Sequence, residues 1–436
     1  MINCRLKISK AGSRKNQRGV VLLFVLASLL TIGIAATAFF EMGLHEQRFS
    51  TRGQSVTQAF LFAESAVDQG LQWLRNQAQP PAGSTPLVLS GGYQPLGTGF
   101  YLTTVTPAPS NVSSYLKRYS LQGIGVDGSL TAPTALRQTT LVVQVESFAR
   151  YAYFTDQDIS PSGQTVWFIT GDHIEGPTHT NGQLNVYGNP IFDGAVSSVA
   201  ANWNPYNSSA QPTFKQGFEG GVPSKPFPTS FPTALNNAGG SGGTVFQGDT
   251  SVTLVSDGTM KVTNAAAGYV NKTVPLPGNG VLLVQGGSLN LQGTLKGQLT
   301  AATTTGDVNI VGSVRYSDDP RVNPASTDVL GIVAGGNVVV PTTAPTNVEV
   351  DASIMALSTS FTVQNYWVGP AKGTLTLYGG MSQQRRGPVG TFSSSSGQRL
   401  SGYTKDYHYD QRLLSAIPPY FPVTGDYVSL VWQEAS

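Results

Sequence analysis

From Gly19 to Phe40 the chain carries no charge over 22 positions, and the 18 positions before it hold six basic residues and no acidic one. At about 1.5 Å per residue a helix over that run spans roughly 33 Å, enough to cross a hydrocarbon core. Basic flanks stay cytoplasmic, so the pattern predicts a single-pass anchor with everything after Phe40 on the outer side. The apolar run then gives way to a helical stripe. Val56, Phe60, Ala63, Val67, Leu71 and Leu74 recur at steps of three and four, while Glu64, Asp68, Gln72 and Arg75 line the adjacent face. Pro80-Pro81 ends the segment. Counted from Val20, the predicted helix spans roughly 87 Å at the standard rise.

The period next shortens to two. Gly99–Thr106, Tyr115–Val126 and Arg137–Ser147 are rich in β-branched and aromatic residues with turn signals between them. Three such strands can cover the apolar face of the helix, which completes a small unit near Arg150. Beyond about residue 171 an apolar triplet between glycines recurs at irregular spacing. Gly182–Gly188, Gly287–Gly293, Gly306–Gly312, Gly336–Val340 and Gly373–Gly379 are the instances. Short strands at rung-like spacing predict a β-solenoid, with an antiparallel sandwich or barrel as the alternative. Segment 197–243 is rich in Pro, Asn and Gly without an apolar period and reads as a long surface excursion. The expected fold class is α+β: a long N-terminal helix with a small antiparallel sheet, then a large all-β head. Its divisions are a basic leader (1–19), a membrane half-helix (20–40), the helix continuation with its sheet (41–150) and the head (151–436).

Composition agrees with a β-rich head: 11% of residues are charged, against about 25% in ordinary domains, and 50 are glycine. Cys4 is the only cysteine and lies in the leader, so the remainder has no disulfide or thiol chemistry.

The junction Arg18-Gly19-Val20-Val21-Leu22-Leu23 decides what kind of anchor this is. An uncleaved signal anchor is one reading. The other is that a short basic peptide ending in Gly directly before an apolar helix resembles the leader of type IV pilins and type II secretion pseudopilins. That resemblance implies cleavage by a prepilin peptidase between Gly19 and Val20, with the new amine methylated. Pilins of this family usually carry Glu at the fifth mature residue, where this chain has Phe24. That carboxylate is thought to pair with a neighbour's terminal amine, so its absence points to a minor, tip-proximal subunit. Gln58-Ala59-Phe60-Leu61-Phe62-Ala63-Glu64-Ser65-Ala66 resembles the corresponding segment of PilX-like minor pilins. Residues 150–425, with Tyr153, Phe154 and Pro418-Pro419-Tyr420-Phe421, are similar to an uncharacterised head fused behind such helices. That similarity brings no catalytic residues.

Two stretches carry candidate chemistry. Gly171–Gly182 holds Asp172, His173, Glu175 and His179, all potential metal ligands. Asp172 and His173 face opposite sides of a strand, so the preferred reading is a structural turn, with a metal site as the weaker alternative. No cofactor is expected, and no nucleophile elbow or phosphate-binding loop points to an enzyme. Removing the six leader charges from a chain of net +2 leaves −4, which does not support a generally DNA-seeking surface. Residues 372–412 are locally +4, with Arg385, Arg386, Arg399 and Lys405 among the basic residues and Tyr403 and Tyr407 among the interleaved aromatics. Such a set suits contact with nucleic acid, and Gln383-Gln384-Arg385-Arg386-Gly387 is the stretch expected to be exposed.

The resemblance extends to layout, since some large-headed minor pilins place a β-solenoid on a pilin core and one is implicated in DNA capture during natural transformation. It implies a minor type IV pilin acting in assembly and in surface or DNA capture. Its partners would be other pilins through the helix, the peptidase, the inner membrane, and DNA or surface polysaccharide. The expected location is the inner membrane with a periplasmic head, extracellular once in a filament. The alternatives are a stand-alone anchored adhesin or carbohydrate-binding protein, and a secretion pseudopilin.

Overall fold

The computed structural model describes residues 17–77, 80–81, 83–112, 115–393 and 398–435. The leader up to Asn16, with Cys4, lies outside the described residues. A single helix, α1 (Gln17–Arg75), runs for 59 residues, about 88 Å. Its first half is bare: Leu23 and Phe24 are each 70% exposed and Phe40 is 69% exposed. An apolar helix near the N-terminus, long enough to cross a bilayer, fits a membrane anchor.

The second half of α1 lies on a six-stranded antiparallel sheet. The strands run in the order Leu87–Val88, Gly99–Pro107, Arg118–Gly128, Pro133–Ser147, Val423–Ala435, with Gln94–Leu96 added beside Gly99–Pro107. Alternate residues of the sheet (Val105, Tyr119, Leu121, Leu141, Val143, Val145) point at the helix and are buried. The helix face they meet is narrower than its apolar stripe. Ala59, Ala63 and Ala66 are fully buried, while the larger Phe60 and Leu71 lie half-buried at the flanks. The reason is close approach. A Cβ on Gly125 would lie 2.0 Å from the Ala59 carbonyl oxygen, and one on Gly123 would lie 2.1 Å from that of Ala63. Thr103 Oγ1 completes the seam by donating to the Ala66 carbonyl at 2.9 Å.

The last strand, Val423–Ala435, pairs antiparallel with Pro133–Ser147. The head is therefore an insertion between two neighbouring strands of the sheet, and the division at 151–436 is corrected accordingly: its final strand belongs to the sheet. Trp432 closes the join, its ring edge-on to Phe60 at 6.4 Å and its indole N–H donating to Glu64 at 3.2 Å.

The head is a stack of mainly parallel strands, with antiparallel pairs at Thr250–Val255, Thr259–Asn264 and Tyr269–Pro275 and at Gly390–Phe392 with Arg399–His408. Its principal ladder runs Thr244–Gln247, Val281–Gln285, Gln298–Thr303, Val329–Ala334, Val348–Ala356, Ala371–Arg385. It continues through Tyr153–Gln157, Thr178–Thr180, Val196–Ser198 and Phe218–Gly220. Spatial order and chain order differ. The chain enters the stack in the middle at Tyr153, winds out to Gly220, crosses back along the stack, and winds inward from Thr244 until it abuts its own entry coil. That crossing covers the nine steps between the ten strands of the ladder, about 43 Å at about 4.8 Å each.

This path explains two features of the sequence. Segment 197–243 is corrected to an excursion over 221–243 alone, because Val196–Ser198, Asn204–Pro205, Thr213–Phe214 and Phe218–Gly220 form a further coil. That coil has no visible period because each short strand points only one or two side chains inward. Runs such as Val281-Leu282-Leu283-Val284 are apolar throughout because both faces are covered. Leu282 and Val284 face the stack interior, while Val281 and Leu283 meet Leu235 and Ala238 of α2 (Thr233–Gly240) on the returning segment. Lys225 ties that segment down, its ammonium 2.8 Å from Glu146 and its N–H donating to Asn181 at 2.9 Å.

Candidate functional site

The two runs of coil meet where Ala371–Arg385 pairs with Tyr153–Gln157, Met381 opposite Tyr153. Residues some 230 apart in sequence become neighbours at this seam, and a cavity of about 600 Å³ opens beside it. Trp167, Tyr366 and Tyr407 are among its walls, together with Asp172, Arg386, Arg399, Lys405 and His408. A second cleft of about 460 Å³ adjoins it and shares Ser160, Tyr366 and Pro388.

Arg386 is the pin of the seam. The strand turns inward there because Gly387 runs against the neighbouring coil, where a Cβ would lie 1.9 Å from the Phe361 carbonyl oxygen. Arg386 is 3% exposed, so its expected place on an accessible surface is corrected. Its guanidinium lies 3.9 Å from the Phe168 ring centroid, Nε donates to the Tyr153 hydroxyl at 3.0 Å, and Nη1 donates to the Val166 carbonyl at 2.9 Å. Asp158 faces it at 3.9 Å, and burial pushes that carboxyl above its ordinary range. A buried guanidinium needs these partners because an unpaired charge there is costly.

The other basic and aromatic candidates divide. Arg385 is half-buried and donates to Gln157 at 3.1 Å and to the Pro161 carbonyl at 3.3 Å. Lys405 is exposed but bridges to Asp172 at 3.3 Å. Arg399 is half-buried beside Tyr407, burial lowers its pKa, and its Nε has no hydrogen-bond partner among the described residues. Tyr407 lines the cavity, with burial raising its phenol. Tyr403 is corrected from a stacking surface to a core residue: it is fully buried and its hydroxyl donates to the Pro345 carbonyl at 2.6 Å. Gly19 and Val20 lie within the first turns of α1.

Asp172, His173, Glu175 and His179 are each engaged separately. Asp172 accepts from the Ile169 N–H at 2.9 Å, and His173 meets Asp193 at 2.9 Å. His179 is buried between Ser197 at 2.8 Å and Asn181 at 3.0 Å, and burial lowers its pKa, which keeps the ring neutral. Glu175 meets His408 at 3.0 Å, and His408 also meets Asp406 at 3.0 Å. Partial burial opposes charge on His408, yet the two carboxylates outweigh it and its pKa is raised. No group of three His, Cys, Asp or Glu side chains converges in a metal-binding arrangement among the described residues.

Sequence reasoning missed the partners supplied from upstream, Tyr153 and Asp158, and it missed the turn that carries Tyr366 and Trp367. The local signal for that turn was Asn365, which adopts a positive φ of 49°, a conformation Asn tolerates better than most residues.

A family model described as a domain of unknown function (DUF4900) matches residues 114–201, which span the end of the sheet and the first coils of the head. No curated protein matches the chain. Among solved structures, the competence-associated pilin ComZ from Thermus thermophilus is similar at 12% identity and a TM-score of 0.37, with 87% of this chain and 97% of that one covered.

Proposed function

We propose that the chain is a minor pilin whose head is displayed from a type IV filament. The observation that carries this reading is the return of Val423–Ala435 to the sheet packed on α1. The helix and sheet make a complete small unit, the head is carried as an insert, and the apolar half of α1 is left for a bilayer or for neighbouring helices. The basic-to-apolar junction at Gly19 supplies the processing site for a prepilin peptidase. Phe24 in place of an acidic residue, together with the bulk of the head, favours a tip position over a repeating one.

DNA capture is a second reading, supported by the accessible members of the basic set, Arg385, Arg399 and Lys405. The pairing of Lys405 with Asp172 weakens it, because a paired cation has less charge to offer a phosphate. The test is fractionation of native cells. The expected result is recovery of the chain in sheared filaments, well below the amount of the principal subunit. Confinement to the membrane fraction would overturn the proposal.

A further inference from the structure

The cleft beside the seam differs from the seam cavity in its chemistry. Among its lining residues Asp307 is the only one with a formal charge, and that carboxylate accepts from the Asn337 backbone N–H at 2.7 Å. The wall is otherwise built of amides, hydroxyls and two aromatic rings, interspersed with the apolar Pro161, Val339, Val363 and Pro388. Asn309, Val339 and Thr362 stand opposite one another on successive rungs and point outward into it. The same outward column continues as Asn290 and Ser251, with Asn309 donating to Asn290 at 3.0 Å and Asn290 to Ser251 at 3.2 Å. Ser360 Oγ, buried in the wall, has no hydrogen-bond partner among the described residues.

At the lip stands Trp367, 61% exposed, its ring edge-on to Tyr366 at 4.8 Å. An indole held in water at the mouth of a cleft gains little from its own fold. It is held there by the turn at Asn365, whose positive φ is a conformation that costs free energy in a residue other than glycine.

We infer that this cleft binds a neutral polysaccharide, with Trp367 as the stacking platform for a sugar ring, Asn309 and Thr362 as hydrogen-bonding groups of the floor on either side of the apolar Val339, and the Thr362 hydroxyl, which donates to the Pro388 carbonyl at 2.9 Å, acting as an acceptor. A sugar ring presents an apolar C–H face and a rim of hydroxyls that both donate and accept. Aromatic faces match the first, and amides and hydroxyls match the second. Because the column repeats at about 4.8 Å along the stack, it suits an extended chain lying along the head more than a single ring. A phosphate backbone or a polyuronate would need an excess of cations, which this cleft lacks. The inference concerns what the head touches and stands independently of filament assembly.

The test is isothermal titration calorimetry on the full chain, in a detergent without a sugar headgroup, with cellohexaose, maltohexaose and N-acetylchitohexaose as probes. Binding of at least one hexasaccharide is expected, changing less than about twofold when salt is raised from about 50 to about 300 mM. Trp367→Ala is expected to weaken it by about tenfold or more, while Trp367→Tyr stays within about threefold of the parent. Trp367 is exposed, so neither variant disturbs the core, and circular dichroism checks this. The inference is overturned if none of the three hexasaccharides binds, if binding survives Trp367→Ala, or if an oligothymidylate competes for the cleft in a salt-sensitive manner.

Discussion

Arg386 belongs to a basic stretch whose charge count suited a nucleic-acid surface, and it lies inside the molecule. The partners that cancel these charges come from far upstream: Asp158 for Arg386 and Asp172 for Lys405. Local charge was legible in the sequence, but its cancellation was not, because it depends on which coils stack. Replacing Arg386 with Ala strips Asp158 of its counter-charge and should cost about 3–5 kcal/mol in urea unfolding, whereas Arg385→Ala should stay within about 0.5 kcal/mol. Asp351 gives a residue-scale test with a pH signature. It is 1% exposed, and burial pushes its pKa up to about 6 from an ordinary value of 3.8, although it accepts from the Tyr316 N–H at 3.0 Å. A raised carboxylate pKa destabilises the fold where the group is ionised. The cost is absent below the unfolded pKa, grows between 3.8 and about 6, and is full above that, reaching about 3 kcal/mol. Asp351→Asn should therefore be more stable than the parent near neutral pH, with the advantage gone by about pH 4 in thermal unfolding.

Elements differ in how much of themselves they reveal. Helix α1 was legible almost to its ends, because a charge-free run followed by a three-and-four stripe has no other regular reading and Pro80-Pro81 follows it. Gly99–Pro107 and Pro133–Ser147 showed as strands because one face of each alternates into a core. What the stripe did not show is which face packs closest. Val67 and Leu74 of the stripe are buried against the sheet, yet Phe60 and Leu71 are not, and the closest approach is at Ala59 and Ala63, because Gly123 and Gly125 bring the backbones together. Gly125→Ala should accordingly destabilise the helix–sheet unit by about 3 kcal/mol, since backbone on both sides must shift. Gly43→Ala, with nothing within 4 Å, should be neutral or slightly stabilising. Circular dichroism melts of the two variants separate these outcomes. Apart from the rung at Gly182–Gly188, the coils between 168 and 220 were illegible for the opposite reason. Strands of two or three residues carry too few inward side chains to set a period, and Phe192, Phe214 and Phe218 fill the core from positions no alternation predicts.

At the scale of the whole molecule, the chain leaves a small sheet, builds a stack from its middle outward, returns along it, and comes back to the sheet it left. Both the insertion and the order of coils depend on pairings between residues more than 200 apart, such as Met381 with Tyr153 and Tyr427 with Val145. No local pattern encodes them, which is why the division read from the sequence placed the last strand in the head. The candidate site shares that origin: the seam cavity exists only because residues 153–175 dock on residues 381–408. Under the proposed function the plan would divide the labour, with α1 and its sheet serving assembly and the head serving contact. The central claim is that α1 enters a filament as a processed pilin helix, and mass spectrometry of the N-terminal peptide tests it most directly. Taken from the chain recovered in sheared filaments, that peptide is expected to begin at Val20 with a methylated amine. A peptide beginning at Met1 or anywhere else within the first 19 residues would contradict the pilin assignment.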